Sequence, residues 1–462
     1  MPSAPSSPSR PRRSFRRPGR GGGGAGPGVP GLDARRAALR LLDAVMRRGE
    51  TLELALHAAT QGLADRADKA LVHAIAADVL RWMVDLDALI DGATPQPLPE
   101  DAKARMVLRL ALVQLLRLDT PPHAAIATAL PLVDGGPRRL VHGVLGTLLR
   151  AEASLPEVPT LPEPVAARWT AQWGEAMVQA AAQALSRRAP IDVTLADPAE
   201  TAHYDDVLAG ETLLPGHVRM SHAVSVPGLP GYAEGRWWVQ DLAASLPARL
   251  AGNGADATSA EAAKPRTAID LCAAPGGKTM QLAAQGWAVT ALDKSAKRLE
   301  RMAENLSRAG LAADVRQGDA LTWEPDGAGP DGAADLVLLD APCSATGIFR
   351  RHPDTLHRVG ARQIAEMADL QTQLLDRAAP WVKPGGMLIY ATCSLERAEG
   401  EDQIDRFLRD HPAFRVLPPD SADLPAGVVP DERGCVRTLP TLLADAGGLD
   451  GFFIARMVRS PD

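Results

Sequence analysis

Two cysteines, Cys343 and Cys393, are the residues of this chain best suited to covalent chemistry. They lie in Asp-Ala-Pro-Cys-Ser at 340–344 and in Ala-Thr-Cys-Ser at 391–394, and each motif directly follows a short apolar run. A single cysteine is more often a small buried hydrophobic residue than a nucleophile. Two thiols directed at one cleft beside Asp340 fit that interpretation poorly, and a thiolate is a strong nucleophile when a nearby cation or dipole lowers its pKa. The residues alone leave open which cysteine attacks.

A third motif combines the end of a strand, a glycine turn and the start of a helix. It runs from Asp270 to Thr279 and reads Asp-Leu-Cys-Ala-Ala-Pro-Gly-Gly-Lys-Thr. In doubly wound sheets, ligands bind at the carboxyl ends of strands, where glycines let the backbone approach closely. The first glycine of the Walker A pattern is missing, which argues against a P-loop. The motif therefore predicts a ligand site of another kind.

Aspartates mark the ends of the strands that follow the glycine turn. Asp293 ends one apolar run, where a carboxylate can accept hydrogen bonds from a ribose diol. Asp319 ends a short third strand, where a carboxylate can accept from an adenine amino group. Any one of these aspartates could instead cap a helix. Aspartates in register with three strand ends favour a cofactor that contains a nucleoside.

The elements that position these motifs alternate between strand and helix. Apolar runs predict buried strands at 268–271, 288–292, 335–339 and 386–391. Helical segments are predicted between them at 279–285, 296–309 and 364–379. Alternation of this kind is typical of a parallel sheet covered on both faces, so an α/β, Rossmann-like fold is predicted for this part of the chain.

The N-terminal part shows helical periodicity without strands. Four helices are predicted: one capped by Asp33, one after Asp65, one opening at Asp101 and one after Pro137. With shifts in composition, these patterns divide the chain into six segments. The expected segments are a disordered Arg/Gly/Pro-rich tail (1–31), a helical domain (32–153), a proline-rich linker (154–164), a small α/β subdomain (165–250), a low-complexity loop (251–266) and a catalytic domain (267–460).

Charge is distributed unevenly along the chain. The 50 basic and 56 acidic residues give a net charge of −6, which excludes a uniformly basic nucleic-acid binder. Residues 1–31 hold six arginines and no acid, so the remainder carries 44 basic and 56 acidic residues, a net charge of −12. The tail is either a salt-sensitive phosphate anchor or a solvated leader.

Several other classes of protein are disfavoured. No apolar run approaches the ~18–20 residues that span a bilayer, and the N-terminus lacks the apolar region of a signal peptide. The four cysteines lie far apart without a C-x-x-C pair, which argues against a zinc site and a disulfide framework. We therefore expect no membrane, no metal and a reducing cytoplasmic location.

The motifs resemble the Sun/Nop family of RNA cytosine-5 methyltransferases, and the resemblance covers about residues 160–460. The segments that carry it are 270–279, 340–344, 391–394, Trp-Val-Gln-Asp at 238–241 and Gly-Phe-Phe-Ile-Ala at 451–455. The helical domain, with Leu-Val-His-Gly-Val-Leu at 140–145, resembles the NusB-type RNA-binding domain. The chain departs from the family at 193–197, where an arginine and an asparagine are often found.

The resemblance implies methylation of cytosine C5, with S-adenosylmethionine as cofactor and 16S rRNA as substrate of a monomeric enzyme. Cys393 is implied as the nucleophile that attacks C6, Cys343 as an aid to product release, and Asp340 as a contact to the cytosine ring. The residues implied to contact the cofactor are Cys272, Ala273, Ala274, Pro275, Gly276, Gly277, Lys278, Asp293, Asp319 and Asp340. Arg298 either reaches the cofactor or lies on an exposed helix surface.

Three alternatives remain open on the sequence. One is a tRNA cytosine-5 methyltransferase, and another is a non-catalytic ribosome-assembly factor, which the intact Cys343, Cys393 and Asp340 argue against. The third is an amino-methylating enzyme, which uses an Asp/Asn-Pro-Pro-aromatic motif. The matching segment at 340–343 reads Asp-Ala-Pro-Cys and disfavours it.

Overall fold

A computed structural model gives the fold of the chain and describes residues 29–220, 225–254, 265–327, 329 and 331–461. The predicted tail at 1–31 lies outside the described residues except for its last three positions. The predicted loop at 251–266 likewise lies outside them except for two short ends.

The N-terminal region of the described chain is helical and surrounds one apolar core. Its helices are α1 (Leu32–Arg48), α2 (Leu52–Ala59), α3 (Arg66–Arg81), α4 (Met83–Gly92), α5 (Lys103–Leu116), α6 (Pro122–Ala129) and α7 (Gly135–Arg150). Leu41, Leu42, Ile75 and Leu108 are among its fully buried residues. The sequence predicted four of these helices. It missed α2, α4 and α6, which are eight to ten residues long and too short to show a clear periodicity.

Two of the predicted helix starts have different outcomes. The helix predicted after Asp65 is confirmed as α3, and the Asp65 carboxylate caps it by accepting a hydrogen bond from the backbone of Ala67. The prediction for Asp33 is wrong: α1 begins at Leu32, and Asp33 lies inside the first turn, where it pairs with Arg36 at 3.1 Å. An acidic residue is favourable there because of the helix dipole, so the same residue type suits both positions.

A small mixed region follows the helices. Its elements are α8 (Glu163–Trp173), α9 (Glu175–Ser186), β1 (Ile191–Leu195), α10 (Thr201–Val207), β2 (His217–Met220), β3 (Trp237–Val239) and α11 (Leu242–Arg249). The strands form an antiparallel sheet in the order β2-β1-β3. Thr194, in the segment that departs from the family pattern, lies buried in the central strand.

The C-terminal region contains an eight-stranded sheet with helices packed against it. Its elements are β4 (Thr267–Leu271), α12 (Gly277–Ala284), β5 (Ala288–Asp293), α13 (Ala296–Ala309), β6 (Asp314–Gln317), β7 (Ala334–Asp340), α14 (Thr355–Arg358), α15 (Ala361–Ala378), β8 (Val382–Thr392), α16 (Glu401–Asp410), β9 (Phe414–Val416), β10 (Val436–Thr438) and β11 (Phe452–Arg459). The strand order is β10-β11-β8-β7-β4-β5-β6, and β9 pairs with β11.

Both faces of this sheet are buried, as predicted. Leu336 and Leu338 of β7 pack into one apolar cluster, whereas Val337 and Leu339 pack into the other. Successive side chains of a strand point to opposite faces, so a continuous apolar run is what a doubly covered strand requires. The sheet is mixed, because β11 pairs antiparallel with β8 beyond the five parallel strands.

The strand order decides where the motifs meet. Strands β8, β7, β4, β5 and β6 are parallel neighbours, so their carboxyl ends form one continuous edge. The segments that follow these ends hold, in the same spatial order, Cys393, Cys343, the glycine turn, Asp293 and Asp319. A candidate site therefore extends along this edge.

The helical region contacts the segment that follows Cys343. Asp354 Oδ2 accepts a hydrogen bond from the backbone of Leu52 at 3.3 Å, and His357 Nε2 lies 2.7 Å from the carbonyl oxygen of Leu80. Arg81 donates to the carbonyl oxygen of Arg350 at 3.2 Å. These contacts fix the helical region against the segment that follows Cys343.

Candidate active site

The structure brings the two predicted cysteines into contact. Asp340 at the end of β7 pairs with Ala391 of β8, which aligns the two following loops. The sulfur atoms of Cys343 and Cys393 lie 3.4 Å apart, and both residues are half-buried. The carbonyl oxygen of Cys393 accepts a hydrogen bond from the backbone of Gly347 at 3.0 Å, so the loops are joined by the backbone as well.

The thiols differ in their electrostatic environment. The hydrogen bond with Cys393, together with burial, raises the pKa of Cys343 well above its usual value. Burial raises the pKa values of Cys272 and Cys435 to about 12. A raised pKa disfavours the thiolate, which is the nucleophilic form of a cysteine, so these environments disfavour Cys272, Cys343 and Cys435 as nucleophiles. In the contact between Cys343 and Cys393, either sulfur can be the hydrogen-bond donor.

Lys278 supplies a buried cation next to this pair. Its ammonium nitrogen lies 2.8 Å from Asp340 Oδ2 and 5.4 Å from the centre of the Phe452 ring. Burial lowers the pKa of Lys278, but the negative charge of Asp340 and its hydrogen bond outweigh burial, so the pKa is raised. The side chain is buried rather than solvated, and a charged ammonium group here can stabilise a nearby thiolate.

The glycine turn lies between β4 and α12 and has a conformation that its sequence explains. Cys272 has a φ of 60° and Gly276 a φ of 100°, both in the left-handed region. A Cβ atom on Gly276 would lie 2.7 Å from Cγ of Met302, so position 276 has room only for glycine.

The two further aspartates lie along this edge but differ in exposure. Asp293 is buried and accepts hydrogen bonds from the backbone of Ala274 at 3.1 Å and of Ser295 at 2.9 Å. Asp319 is exposed and accepts from the backbone of Leu321 at 3.0 Å. Both therefore have local partners of the capping kind, and Asp293 also fixes the glycine turn.

Arg298 reaches Asp293 and the glycine turn. Its guanidinium group lies 3.4 Å from Asp293 Oδ2 and donates to the carbonyl oxygen of Ala274. The side chain is still half-exposed, so it lies at the surface of the site and not on a remote helix face.

Asp270 lies below the glycine turn and is completely buried. Its Oδ2 accepts a hydrogen bond from the hydroxyl of Thr279 at 2.5 Å, whereas its buried Oδ1 has no hydrogen-bond partner among the residues that the structure describes. Burial raises its pKa to about 7, although the Thr279 hydrogen bond opposes the change. The native protein therefore holds a proton on Asp270 that the unfolded chain, with an ordinary carboxyl pKa, releases above about pH 4.

We expect Asp270→Asn to flatten the dependence of stability on pH. A raised native pKa means that the free energy of unfolding falls as pH rises from about 4 to about 7, by on the order of 1 kcal/mol per pH unit for this group. Asparagine keeps the bond to Thr279 but cannot titrate. Urea unfolding at pH 5, 6 and 7 measures the difference in slope, and parallel slopes for the two proteins would show that Asp270 is ionised in the native state.

A buried carboxylate that sequence reasoning missed joins the two cysteine loops. Glu399 accepts hydrogen bonds from the backbone of Ser344 at 3.0 Å and from its hydroxyl at 3.1 Å, and the carbonyl oxygen of Glu399 accepts from the hydroxyl of Tyr390 at 2.8 Å. Burial raises the pKa of Glu399. No spacing signal predicts this role, since the partners lie 55 residues apart along the chain.

A network of ion pairs connects Asp241, at the end of one flanking motif, with Asp450, just before the other. Asp241 and Asp450 hold the neighbouring Arg350 and Arg351, with distances of 2.7 Å from Arg351 to Asp241 and 2.8 Å from Arg350 to Asp450. Arg350, Asp241 and Asp450 are buried, whereas Arg351 is partly exposed. This network connects β3, the loop after Cys343 and the start of β11.

Two negative findings apply to the described part of the chain. No group of three or more histidine, cysteine, aspartate or glutamate residues there is placed to hold a metal ion. No helix within the same residues has both the length and the apolar character needed to cross a membrane.

Comparisons with known proteins identify the family. A family model described as 16S rRNA methyltransferase RsmB/F matches residues 259–458, and a NusB family model matches residues 32–150. Ribosomal RNA small subunit methyltransferase B from Erwinia tasmaniensis is 32% identical over 92% of this chain and 98% of its own length. The protein of the same name from Xylella fastidiosa is 35% identical over 92% of this chain and 97% of its own length.

Solved structures show the same fold. The crystal structure of PH0851 matches with a TM-score of 0.70 at 23% identity, over 92% of this chain and 98% of that one. The structure of NSun6 from Pyrococcus horikoshii with SFG matches with a TM-score of 0.52 at 18% identity, over 65% of this chain and 98% of that one.

The fold and the edge site define a Rossmann-like methyltransferase domain preceded by a NusB-type helical domain. The identity and coverage of the curated relatives are sufficient to assign the chain within that class. It belongs to the RsmB/F family of 16S rRNA methyltransferases and is a transferase.

Proposed function

We propose that this enzyme transfers a methyl group to C5 of a cytosine in 16S rRNA through a covalent bond between Cys393 and C6. The observation that carries the proposal is the 3.4 Å contact between Cys393 and Cys343 beside the buried pair of Lys278 and Asp340. An amino-methylating enzyme needs no thiolate, so a paired-thiol site argues for carbon methylation.

The chemistry requires a nucleophile because C5 of cytosine does not take a methyl group unaided. Attack of the Cys393 thiolate at C6 forms a carbon–sulfur bond and gives C5 enamine character. C5 would then take the methyl group of S-adenosylmethionine, whose sulfur would keep the electron pair of the broken bond and leave as S-adenosylhomocysteine. A base then removes the C5 proton, and the C5–C6 double bond returns as the thiolate leaves. Asp340 contacts the cytosine ring and stabilises the adduct.

Cys343 is proposed to aid the last step. Its sulfur lies 3.4 Å from that of Cys393, and its raised pKa keeps it protonated. A thiol in this position can donate a hydrogen bond to the departing Cys393 sulfur, which favours cleavage of the carbon–sulfur bond.

S-adenosylmethionine is the cofactor that fits this edge. The turn from Cys272 to Lys278 follows β4 at this edge, and Asp340, Asp293 and Asp319 offer carboxylate acceptors at or just after the ends of β7, β5 and β6. When bound, the cofactor supplies an electrophilic methyl group. The chain's own residues would hold it. Gly276 has no room for a side chain because Met302 lies against it.

The substrate assignment rests on the relatives and on the helical domain. The relatives from Erwinia tasmaniensis and Xylella fastidiosa are named for ribosomal RNA of the small subunit, and the NusB-type domain is joined directly to the loop after Cys343 through Asp354 and His357. The target base has to leave its stack to reach the thiol. We expect the enzyme to act as a monomer in the cytoplasm, where thiols stay reduced.

Methylation of defined RNA tests the proposal. Full-length protein is incubated with tritiated S-adenosylmethionine and unmodified 16S rRNA, and the nucleosides are separated after digestion. Label is expected in 5-methylcytidine, with unmodified tRNA as the control RNA that remains unlabelled. Label in an amino-methylated cytidine would contradict C5 chemistry, and preferential labelling of tRNA would contradict the substrate.

A further inference from the structure

The loop that follows Cys393 is held by one face of α8. Four side chains of this helix make hydrogen bonds to residues 395–397, although some 220 residues separate the two segments in sequence. The side chains that α8 contributes to the contact are Arg168, Trp169, Gln172 and Trp173.

Glu396 is the centre of this contact. Its carboxylate accepts from Arg168 Nε at 2.9 Å, from Trp169 Nε1 at 3.1 Å and from Gln172 Nε2 at 3.1 Å, and the residue is 1% exposed. Burial of a carboxylate carries a large desolvation penalty, which three donors of good geometry can offset. The partners of this group all lie on α8, so the carboxylate fixes the loop to that helix.

Further bonds reach the main chain on both sides of Glu396. The indole nitrogen of Trp173 donates to the carbonyl oxygen of Leu395 at 2.8 Å, and the backbone of Arg397 donates to Gln172 Oε1 at 2.9 Å. The backbone nitrogen of Glu396 in turn donates to the hydroxyl of Ser394 at 3.1 Å. Each residue from 394 to 397 is thus held, and Cys393 immediately precedes them.

We propose that Glu396 is a positioning residue that acts through α8 to hold the Cys393 sulfur in its reactive geometry. The inference rests on the proposed role of Cys393 as nucleophile. The hydrogen bonds of the Glu396 carboxylate go to α8 and not to either cysteine, so we expect its effect to be on the orientation of the thiol and not on substrate binding. A displacement of about 1 Å in a reacting group can cost on the order of 100-fold in rate, so loosening this loop should be costly.

The test compares Glu396→Ala and Glu396→Gln with Asp335→Ala. Asp335 is a matched control, because its carboxylate also holds three donors, two from Thr267 and one from Lys383, but lies at the opposite end of the sheet. For each protein, kcat, the KM values for RNA and S-adenosylmethionine, and the melting temperature are measured. The rate at which iodoacetamide alkylates Cys393 is followed by peptide mass spectrometry without RNA.

For Glu396→Ala, kcat should fall by about tenfold or more, with both KM values within about twofold. Glu396→Gln keeps one acceptor oxygen and should recover part of kcat. The alkylation rate of Cys393 should change in both variants, whereas Asp335→Ala should lower the melting temperature with kcat and alkylation unchanged. Wild-type kcat and alkylation in Glu396→Ala, or an equal loss of kcat in Asp335→Ala, would overturn the inference.

The experiments distinguish a failure of the nucleophile assignment for Cys393 from a failure of the positioning role for Glu396. Turnover by a Cys393→Ala enzyme would overturn the nucleophile assignment. The alkylation rate is measured without RNA and does not require Cys393 to be the nucleophile, so it still reports whether Glu396 positions the loop.

Discussion

The Cys393→Ala enzyme is expected to lose methyl transfer by at least about 10³-fold, because the substitution removes the thiolate that forms the bond to C6 in the proposed reaction. Cofactor binding should be retained, since the glycine turn follows β4 whereas Cys393 follows β8. Single-turnover methylation of 16S rRNA measures the loss, and calorimetry with S-adenosylmethionine measures binding.

Cys435→Ala is the matched control for this prediction. Cys435 directly precedes β10 and is buried in the core, where burial raises its pKa to about 12. Its replacement should leave the single-turnover rate unchanged. Appreciable turnover in Cys393→Ala with Cys343 intact would contradict the assignment and transfer the nucleophile role to Cys343.

Replacing Cys343 by alanine should trap the enzyme on its substrate. Cys393 can still attack C6 and C5 can still be methylated, but departure of the sulfur loses the neighbouring donor that lies 3.4 Å away. Cleavage of the carbon–sulfur bond then becomes rate-limiting, and the adduct persists. Denaturing electrophoresis should show a protein–RNA species that forms only when both RNA and S-adenosylmethionine are present.

The double variant lacking both cysteines controls for non-covalent association and should give no such species. A packing role for Cys343 makes a different prediction, namely a modest loss of stability with normal turnover and no trapped RNA. That outcome would contradict the release role, and it is easily distinguished because few damaged proteins accumulate a covalent intermediate.

The sequence was a good guide to the elements with clear end signals. The helix predicted at 296–309 has those bounds in the structure, because Ser295 caps its first turn and Gly310 ends it in the left-handed conformation. The strand predicted at 386–391 is longer, running from Val382 to Thr392. The sequence placed no strand at β9 or β10, which have three residues each and depend on pairing with β11.

Some features of the candidate site could be predicted from the sequence, and others could not. Strand alternation could predict that Cys343 and Cys393 follow neighbouring parallel strands, since the carboxyl ends of such strands meet at one edge. It could not predict that Glu399 joins the two loops or that Glu396 binds α8, because loop contacts between distant segments leave no periodic signal. Asp293 was placed correctly at a strand end, but its burial against Ala274 depends on the turn geometry.

Locating the covalent bond tests directly whether Cys393 attacks C6 of the cytosine. The Cys343→Ala enzyme is incubated with 16S rRNA and S-adenosylmethionine, the trapped species is digested with protease and nuclease, and the cross-linked peptide is sequenced by mass spectrometry. The expected peptide spans residues 391–394, and its Cys393 carries one cytidine nucleotide bearing an added methyl group. A cross-link at any other residue would contradict attack by Cys393.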